Sequence, residues 1–501
     1  GVRYLEQAFK NLDFGQLRQV RHGLEERHLL LANAPQLAHP LAILTPVFNW
    51  WTGLYLRIGL WLYDCFAARK DALPASRWLS RAEALGRMPG LSPDIHSAVL
   101  YYDGQLDDAR YALAIVQSAA AAGAVVANHL EVLAFQKDAA GKLQSVSLHD
   151  DLTGESFPLR ARLFLNCTGP GADAVRQLAN PALANRIRPS KGVHVVLPAT
   201  VLGSSDAMLI PKTPDGRMVF AIPFEGRLLL GTTDQDYTRI DQEPVLEEAE
   251  AEFLLRTLQP FVREKLHKER VKAGFGGLRP LITGHSGAAF HSLTKQTKAT
   301  KRMLRDHEVE HDPVSGLLSL LGGKWTTYRL MARDAVDAAG ALLDWSAPCS
   351  TAGHRLTGAT GFTVDGWQNL VHDYGFDPAI AQHLHHNYGS QASRVGDLIR
   401  IEPAWAERLH ADFPFIRAEV VYAARNEMAC SLRDFLARRI RLEILDWEAV
   451  QQVIPVVAGL LGQELGWTST EVLESARRYN TLVQDFKNHL PSNLFSNHDD
   501  Q

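Results

Sequence analysis

Residues 317–335, LLSLLGGKWTTYRLMARDA, join a short apolar run, a glycine pair and the start of a helical pattern. This order predicts a buried strand, a turn at the glycines and a helix that begins directly after them. The glycines let a flat ligand approach the backbone, and a lysine and two threonines stand at the positive end of the helix, where negative charge is stabilised. The same pattern also fits a corner in which glycine only permits tight packing. The predicted cofactor contacts here are Gly322, Gly323, Lys324, Thr326 and Thr327.

A second strand-turn-helix signal lies in NCTGPGAD, residues 166–173. It predicts a turn that faces a nucleotide cofactor through Thr168, Gly169 and Pro170. Taken alone the signal is weak, because a Thr-Gly-Pro turn after a strand is common and needs no ligand.

Two functional candidates lie in strand patterns. RPSKGVHVVLP (188–198) predicts a strand with Lys191 near its start. Because side chains alternate along a strand, His194 should lie on the opposite face from Val193 and Val195. GFGGLRPL (274–281) places Arg279 behind a group of glycines. Imidazole titrates near neutral pH, and arginine binds carboxylate or phosphate through two parallel hydrogen bonds. The alternatives are a hydrogen-bonded strand histidine and a surface ion pair.

Charge and cysteine content exclude several function classes. The 501 residues carry a net charge of -4 with a pI near 6.6, so no overall basic field attracts nucleic acid. The cysteines have neither Cys-x-x-Cys nor zinc-ligand spacing, which predicts buried thiols, no disulfides and no metal site. They are Cys65, Cys167, Cys349 and Cys430.

The segment LAILTPVFNWWTGLYLRIGLWLYDCF, residues 41–66, is rich in aromatic side chains. It is long enough to span a bilayer, but Pro46, Asn49 and Arg57 interrupt it. Tryptophan and tyrosine suit the boundary between membrane and water. We therefore expect a helix that is either buried in the protein or lies on a membrane surface, and we favour a true membrane span least.

The chain combines an α/β part with an all-α part. Short strands separated by PDG and EG turns predict a β-meander over residues 190–240, and nearly everything after residue 350 follows a helical pattern. We predict a Rossmann-like domain from residues 1–40, 95–189 and 307–345, an aromatic, membrane-facing segment 41–94, a β-meander substrate domain 190–306, a C-terminal helical domain 350–487 and a disordered tail 488–501.

The order of these motifs resembles that of the FAD-dependent glycerol-3-phosphate dehydrogenases. Thr-Gly-Pro, Ser-Lys-Gly-Val-His, the DGR…EGR…LGTTD meander, Gly-Leu-Arg-Pro and GGKWTTYR follow one another as in that family. GVRYLEQ (1–7), YYDGQLDDAR (101–110) and EVVYAARNEMACSLRDFLARR (419–439) are also similar. YYDGQ and GGKWTTYR are closest to the mitochondrial type, although the sequence contains no D-x-D-x-D-G calcium loop.

The resemblance implies oxidation of sn-glycerol 3-phosphate to dihydroxyacetone phosphate, with hydride transfer to FAD and electrons passed to a membrane quinone. His194 is then the catalytic base, and Arg279 acts in catalysis and binds the phosphate. The implied location is peripheral, on the mitochondrial inner membrane or the cytoplasmic side of a bacterial membrane. A second copy of the chain, in a homodimer, is a further expected partner. Further substrate contacts implied by the resemblance are Arg3, Tyr4, Arg305 and Lys324.

In that family, a strand and helix joined by G-x-G-x-x-G bind the FAD pyrophosphate and precede the stretch that Gly1-Val2-Arg3-Tyr4 resembles. We therefore expect the FAD-binding domain of this sequence to be N-terminally incomplete, with poor solubility and no retained FAD for residues 1–501 alone. Two alternatives stay open: a glycerophosphate oxidase that uses oxygen, and a non-catalytic remnant or scaffold.

Overall fold

The computed structural model describes residues 14–51, 53–54, 73–211, 213, 216–283 and 307–490. Strands in these ranges form three sheets. The strands are β1 (Ala38–Val47), β2 (Arg77–Ser80), β3 (Ser97–Leu106), β4 (Leu130–Lys137), β5 (Leu143–Asp150), β6 (Ser156–Arg160), β7 (Leu165–Asn166), β8 (Ile187–Pro198), β9 (Ala207–Ile210), β10 (Val219–Phe224), β11 (Arg227–Gly231), β12 (Gln235–Asp236), β13 (Ala273–Ile282), β14 (His307–His311) and β15 (Leu318–Gly322).

Helices follow or connect these strands and fill the C-terminal part. They are α1 (Phe14–Asn33), α2 (Arg81–Arg87), α3 (Asp108–Ala121), α4 (Ala172–Ala179), α5 (Glu248–Leu258), α6 (Tyr328–Leu342), α7 (Trp367–Tyr374), α8 (Pro378–Tyr388), α9 (Ala392–Ile401), α10 (Arg417–Asn426), α11 (Leu432–Arg438), α12 (Leu442–Leu445), α13 (Trp447–Leu465) and α14 (Ser469–Asn488). The predicted division into an α/β part and a helical part after residue 350 agrees with this order.

Strand β8 organises a nine-stranded sheet with the order β12-β8-β11-β10-β9-β1-β3-β2, in which β13 pairs with the other edge of β8. Between the described strands of this sheet, all pairs are antiparallel except β1 with β9. The predicted meander is therefore confirmed for β9, β10 and β11. Two three-stranded sheets accompany it, with the orders β14-β15-β7 and β4-β5-β6.

Local sequence explains several of the helix boundaries. The run QLDDAR predicts a helix that is capped by Asp107 or Asp108. The Asp107 carboxylate accepts hydrogen bonds from the backbone amides of Ala109 and Arg110, which confirms the cap and stabilises the start of α3. Helix α14 begins with a capping box in which Thr468 and Glu471 each bond the other's backbone amide.

The two faces of β8 pack against different parts of the protein. Val193 and Val195 are fully buried in one core together with Leu254 of α5. Val196 points to the opposite side and is buried among the C-terminal helices. Because successive side chains of a strand alternate between faces, His194 shares its face with Val196. The C-terminal helices thus cover the continuation of the face that carries His194.

The prediction of a helix over residues 41–66 is wrong at its N-terminal end. Residues 38–47 form β1, which pairs with β3 over its full length and with β9 in parallel. Leu44 and Val47 are buried there, and Pro46 lies beyond Ile43 and Leu44, the two residues of β1 that pair with β9. Residues 55–66 lie outside the described residues. In the described part of the chain, no helix has the length and apolarity needed to cross a membrane.

The sheets also divide the chain differently from the predicted domains. Strand β3 lies in the predicted Rossmann-like domain, and β1 crosses the predicted boundary between that domain and the aromatic segment. Both strands nevertheless belong to the nine-stranded sheet that contains the meander. The stretch LQSVSLHDDLTGESFPLRARLFLNCTG (143–169) predicts a hairpin with a Thr-Gly turn. Strands β5 and β6 form this hairpin, but its second strand stops at Arg160, and β7 pairs instead with β15. Long-range pairing, which local patterns do not encode, accounts for these differences.

The prediction that all cysteines are buried is wrong for Cys167 and Cys349, which are exposed. Cys430 is partly buried, and Cys65 lies outside the described residues. The three described cysteines are free thiols, as expected from their spacing. The predicted disordered tail begins at residue 488, where α14 ends, and residues 491–501 are outside the described part.

A buried ion pair between α3 and the loop after α10 gives a stability prediction. Arg110 Nη1 lies 2.8 Å from Glu427 Oε2, with the two side chains 5% and 1% exposed. Glu427→Ala leaves a buried guanidinium without its counterion, so the free energy of unfolding should fall by about 3–5 kcal/mol in chemical denaturation. Asp397→Ala, in an exposed pair with Arg400, should cost less than about 1 kcal/mol. Equal losses of unfolding free energy in the two variants would contradict the conclusion that burial makes the Arg110–Glu427 pair the more important one.

Candidate active site

His194 lies between two neighbouring strands on a partly open face of the large sheet. Across the β8–β13 register it stands opposite Phe275, and their rings stack with centroids 4.8 Å apart and planes inclined by 12°. On its other side it stands opposite Gly231 of β11, where an added Cβ would lie only 2.3 Å from the imidazole Cδ2. Gly231 therefore provides the space for the imidazole, and Phe275 fixes the plane of the ring.

This environment keeps the imidazole of His194 neutral. Burial and, to a smaller extent, the positive charge of Arg279 lower the pKa of His194 from 6.5 to about 4. The buried Nδ1 atom has no hydrogen-bond partner among the described residues. A negatively charged ligand next to Arg279 would offset its charge and raise the pKa of His194 towards the neutral range, where a general base is most effective. The site thus offers a neutral imidazole whose low pKa is due mainly to burial and partly to the charge of Arg279.

Arg279 lies on the same face of the sheet, close to His194. An added Cβ at Gly192 would lie 2.3 Å from Arg279 Nη2, so the guanidinium occupies the space that this glycine leaves open. Nη2 donates to Thr232 Oγ1 at 3.1 Å, and Nη1 lies 3.5 Å from Asp234 Oδ1. The side chain of Arg279 is 33% exposed, so an anionic ligand can reach it from solvent.

Lys191, at the start of the same strand, belongs to the opposite face. Its Nζ donates to Glu250 Oε2 of α5 at 2.7 Å, and both side chains are buried. Lys191 therefore stabilises the packing of α5 on the sheet and does not face the site.

Asn166 organises the Thr-Gly-Pro turn. Its Oδ1 accepts from the backbone amide of Thr168 at 3.2 Å and from Thr168 Oγ1 at 2.7 Å, while its Nδ2 donates to the carbonyl of Ala172. Gly169 has a φ of 58°, in the left-handed region that favours glycine. The single 3-10 turn Gly169–Gly171 contacts β8, β13 and β15, so it lies beside the strands that carry the imidazole and the guanidinium.

The glycine pair after β15 forms the predicted turn. Gly322 and Gly323 have φ values of 67° and 90°, and an added Cβ at Gly323 would lie 2.3 Å from Met331 Cε. Lys324 precedes a 3-10 turn that leads into α6, and its Nζ lies near Gly23 of α1, 3.9 Å from the position of an added Cβ. Thr327 is buried, and its hydroxyl bonds the carbonyl of Lys324. This hydroxyl serves the turn itself.

The structure brings most of the predicted residues to one region, because β15 contacts β13 and the Gly169–Gly171 turn contacts both. Whether each one binds substrate or cofactor stays a prediction. The described members are His194, Arg279, Thr168, Gly169, Pro170, Gly322, Gly323, Lys324, Thr326 and Thr327. Arg3, Tyr4 and Arg305 lie outside the described residues.

Sequence reasoning missed the residues that hold the site together. Thr232 and Asp234 contact Arg279, Phe275 stacks on His194, and Asn166 shapes the turn at Gly169. One signal was present: the Gly-Thr-Thr-Asp run directly after a predicted strand places hydroxyls and a carboxylate at a strand end. The contacts of Phe275 depend on the register of β13, which the sequence does not reveal.

Comparison with known proteins identifies the family. Residues 1–329 match the family model for FAD dependent oxidoreductases, and residues 349–472 match that for the C-terminal domain of alpha-glycerophosphate oxidase. The mitochondrial glycerol-3-phosphate dehydrogenase SDP6 of Arabidopsis thaliana is 36% identical over 510 residues, which cover 97% of this chain and 79% of that protein. The chain belongs to the family of FAD-dependent glycerol-3-phosphate dehydrogenases.

Two further members of this family agree. The mitochondrial glycerol-3-phosphate dehydrogenase of Mus musculus is 37% identical over 495 residues, an alignment that covers 96% of this chain and 66% of the mouse protein. The X-ray structure of the glycerol-3-phosphate dehydrogenase from Bacillus halodurans, complexed with FAD, superposes with a TM-score of 0.73 at 26% identity and covers 94% of this chain and 86% of that one. These findings confirm the predicted fold class and FAD as the cofactor.

The residues of the two glycine turns fit a flavin cofactor. Among the described residues, no atom lies within 4 Å of where a Cβ would stand at Gly169 in the first turn or at Gly277 in β13, so a planar group can approach the backbone at both positions. The unpartnered Nδ1 of His194 and the left-handed backbone at Gly322 and Gly323 point to a site built for a ligand. Lys324, at the start of the helical turn, can stabilise negative charge on such a group.

The unusual pKa of His194 can be measured directly. In histidine-ring NMR titrations of the protein, we expect one imidazole with a pKa near 4. Arg279→Gln should raise this pKa, because a positive charge close to the ring is lost. Arg188→Gln, which removes an exposed arginine of the same strand, should leave it unchanged. The unfolded chain binds this proton more readily than the folded chain. The free energy of unfolding should therefore fall as the pH is lowered from about 6.5 to about 4. A pKa near 6.5 for His194 would contradict the burial argument.

Proposed function

We propose that this chain oxidises sn-glycerol 3-phosphate to dihydroxyacetone phosphate and transfers the electrons through FAD to a membrane quinone. The observation that carries the proposal is the pairing of a neutral imidazole and an arginine on one sheet face, on the adjacent strands β8 and β13. A secondary alcohol with a phosphate group requires both a base and a cation. The names of the relatives support this substrate for the chain.

Arg279 would bind the phosphate of the substrate. Its guanidinium is held by Thr232 and Asp234 and remains one third exposed, so its position is fixed before a ligand arrives. Two parallel hydrogen bonds from arginine suit a phosphate, and little entropy is lost on binding when the side chain is already ordered. Arg3, Tyr4 and Arg305 remain predicted contacts to the same substrate, with Lys324 as a further cation.

His194 would accept the proton of the C2 hydroxyl. As the O–H bond breaks, its electron pair forms the C2 carbonyl, and the hydrogen on C2 leaves as a hydride. The imidazole is neutral before the reaction, and the phosphate next to Arg279 raises its proton affinity as the substrate binds. Stacking on Phe275 keeps the ring from turning away from the substrate. Substrate binding and activation of the base are therefore coupled.

FAD, when bound, supplies the acceptor for the hydride from C2. Residues of the two glycine turns would hold it. Thr168, Gly169 and Pro170 would line the cofactor near its ribityl chain, and Gly322 and Gly323 would allow the ring to approach the backbone. Lys324, Thr326 and Thr327 would stabilise negative charge at the pyrimidine edge of the ring. The helix start after Gly323 and the left-handed backbone at Gly169, Gly322 and Gly323 support these roles.

A membrane surface is the proposed location, because quinones are dissolved in membranes. Trp50 and Trp51 are 48% and 66% exposed, and their rings stack with centroids 3.8 Å apart. Exposed tryptophan suits the boundary between membrane and water. The similar proteins of Arabidopsis and mouse are named as mitochondrial. We propose that the protein attaches peripherally to the membrane through the aromatic segment 41–94, which includes Trp50 and Trp51. The homodimer stays a prediction.

Arg279→Ala tests the substrate assignment. In the FAD-loaded enzyme the Michaelis constant for glycerol 3-phosphate should rise by a factor that corresponds to about 2–4 kcal/mol, because a charge-assisted contact to the phosphate is lost. FAD should stay bound. Arg188→Ala, in an exposed pair with Asp236 on the same strand, is the matched control and should behave as the wild type. An unchanged Michaelis constant for Arg279→Ala would remove this residue from the substrate site.

The same assay identifies the electron acceptor. Substrate-dependent reduction of a quinone analogue without oxygen supports the dehydrogenase. Hydrogen peroxide formed in proportion to the substrate consumed, with no reduction of the quinone analogue, would instead assign an oxidase.

A further inference from the structure

The loop after β11 contacts both proposed functional side chains. This loop, Gly231-Thr232-Thr233-Asp234, begins with the glycine that leaves space for the imidazole of His194. Thr233 Oγ1 accepts a hydrogen bond from the backbone amide of Val193 at 3.1 Å and so fastens the loop to β8 directly beside His194. The loop is therefore fixed to the strand whose face carries the site.

Within this loop, Thr232 accepts a hydrogen bond from one end of the Arg279 guanidinium, and Asp234 lies near the other end. Nη2 donates to Thr232 Oγ1 at 3.1 Å, and Nη1 is 3.5 Å from Asp234 Oδ1. The hydroxyl of Thr232 donates its own proton to the carbonyl of Thr233 at 3.2 Å, which leaves its oxygen free to accept from arginine. Asp234 also accepts from Ser190 Oγ and cannot move freely.

These two partners have opposite consequences for an anionic ligand. Asp234 competes with the ligand for the guanidinium, because a carboxylate and a phosphate bind arginine in the same geometry. Thr232 is neutral and does not compete. A guanidinium that is anchored at Nη2 by the hydroxyl is kept from turning into a two-bond ion pair with Asp234. Thr232 therefore favours an orientation of the Arg279 guanidinium other than the two-bond pair with Asp234.

We propose that Thr232 is a positioning residue that holds Arg279 in the orientation that binds the substrate phosphate. The inference rests on the proposed function, since it assumes that Arg279 binds this phosphate. Thr232 acts through Arg279 and takes no part in breaking the bonds at C2. Its loss should weaken substrate binding and leave the turnover of bound substrate nearly unchanged.

Thr232→Val removes the hydroxyl and keeps the shape of the side chain. In the FAD-loaded enzyme, the Michaelis constant for glycerol 3-phosphate should rise about fivefold to tenfold, with kcat within about twofold of the wild type. Thr232→Ser restores the acceptor and should restore the Michaelis constant. Thr200→Val is the matched control, because the Thr200 hydroxyl also accepts from an arginine, Arg270, but at an exposed position. This control should show no change.

Inorganic phosphate separates positioning from a general structural effect. Its inhibition constant, measured against glycerol 3-phosphate, should rise in Thr232→Val by the same factor as the Michaelis constant. In an Arg279→Ala background, Thr232→Val should add nothing further, because the two residues act as one unit. In an Asp234→Asn background the effect should shrink, since the competing carboxylate is gone. Flavin content and melting temperature should match the wild type, and Thr232→Ala serves if the valine variant does not fold.

The outcomes distinguish this inference from the function on which it rests. A wild-type protein that oxidises glycerol 3-phosphate and is inhibited by phosphate, while Thr232→Val behaves as Thr200→Val does, overturns the inference alone. The same holds if kcat falls as much as the Michaelis constant rises, or if the effect persists without Arg279. A wild-type protein that neither oxidises glycerol 3-phosphate nor binds phosphate overturns the proposed function and the inference together.

Discussion

The site depends on the antiparallel pairing of β8 with β13. This register places Phe275 opposite His194 and Arg279 opposite Ser190, so the imidazole and the guanidinium come to one face of the sheet from two strands about eighty residues apart. A shift of one residue would reverse every side chain of the moved strand. It would put a fully buried valine such as Val193 on the site face and His194 into the core. Packing of α5 against the valines therefore specifies the chemistry of the other face.

Missing side chains are as important here as those present. The imidazole fits because Gly231 has no Cβ, and the guanidinium fits because Gly192 has none. The two functional groups are close enough for the charge of Arg279 to lower the pKa of His194. The charge of Arg279 makes His194 a weaker base in the empty site, and an anionic substrate offsets that charge when it binds. A bound phosphate therefore favours proton transfer to His194 by offsetting the Arg279 charge, while burial remains the larger cause of the low pKa.

Local chemistry could be predicted from the sequence, and long-range pairing could not. The aspartate cap of α3 and the glycine turn at Gly322 were predicted because cap and turn residues act within a few positions of the chain. The alternation of His194 with buried valines was predicted from the two-residue period of a strand. Strand β1 was missed because a strand buried between neighbours lacks alternation and resembles an apolar helix. Thr232 was missed because its role depends on a strand distant in sequence.

The central claim is that this sheet face presents the C2 alcohol of a phosphate-bearing substrate to the base and the flavin together. The most direct measurement is anaerobic mixing of the FAD-loaded protein with glycerol 3-phosphate, with flavin absorbance followed over time. The account predicts rapid bleaching by glycerol 3-phosphate and far slower bleaching by an equal concentration of glycerol, which has the same C2 alcohol but no phosphate. Equal bleaching by both compounds, or none by glycerol 3-phosphate, would contradict it.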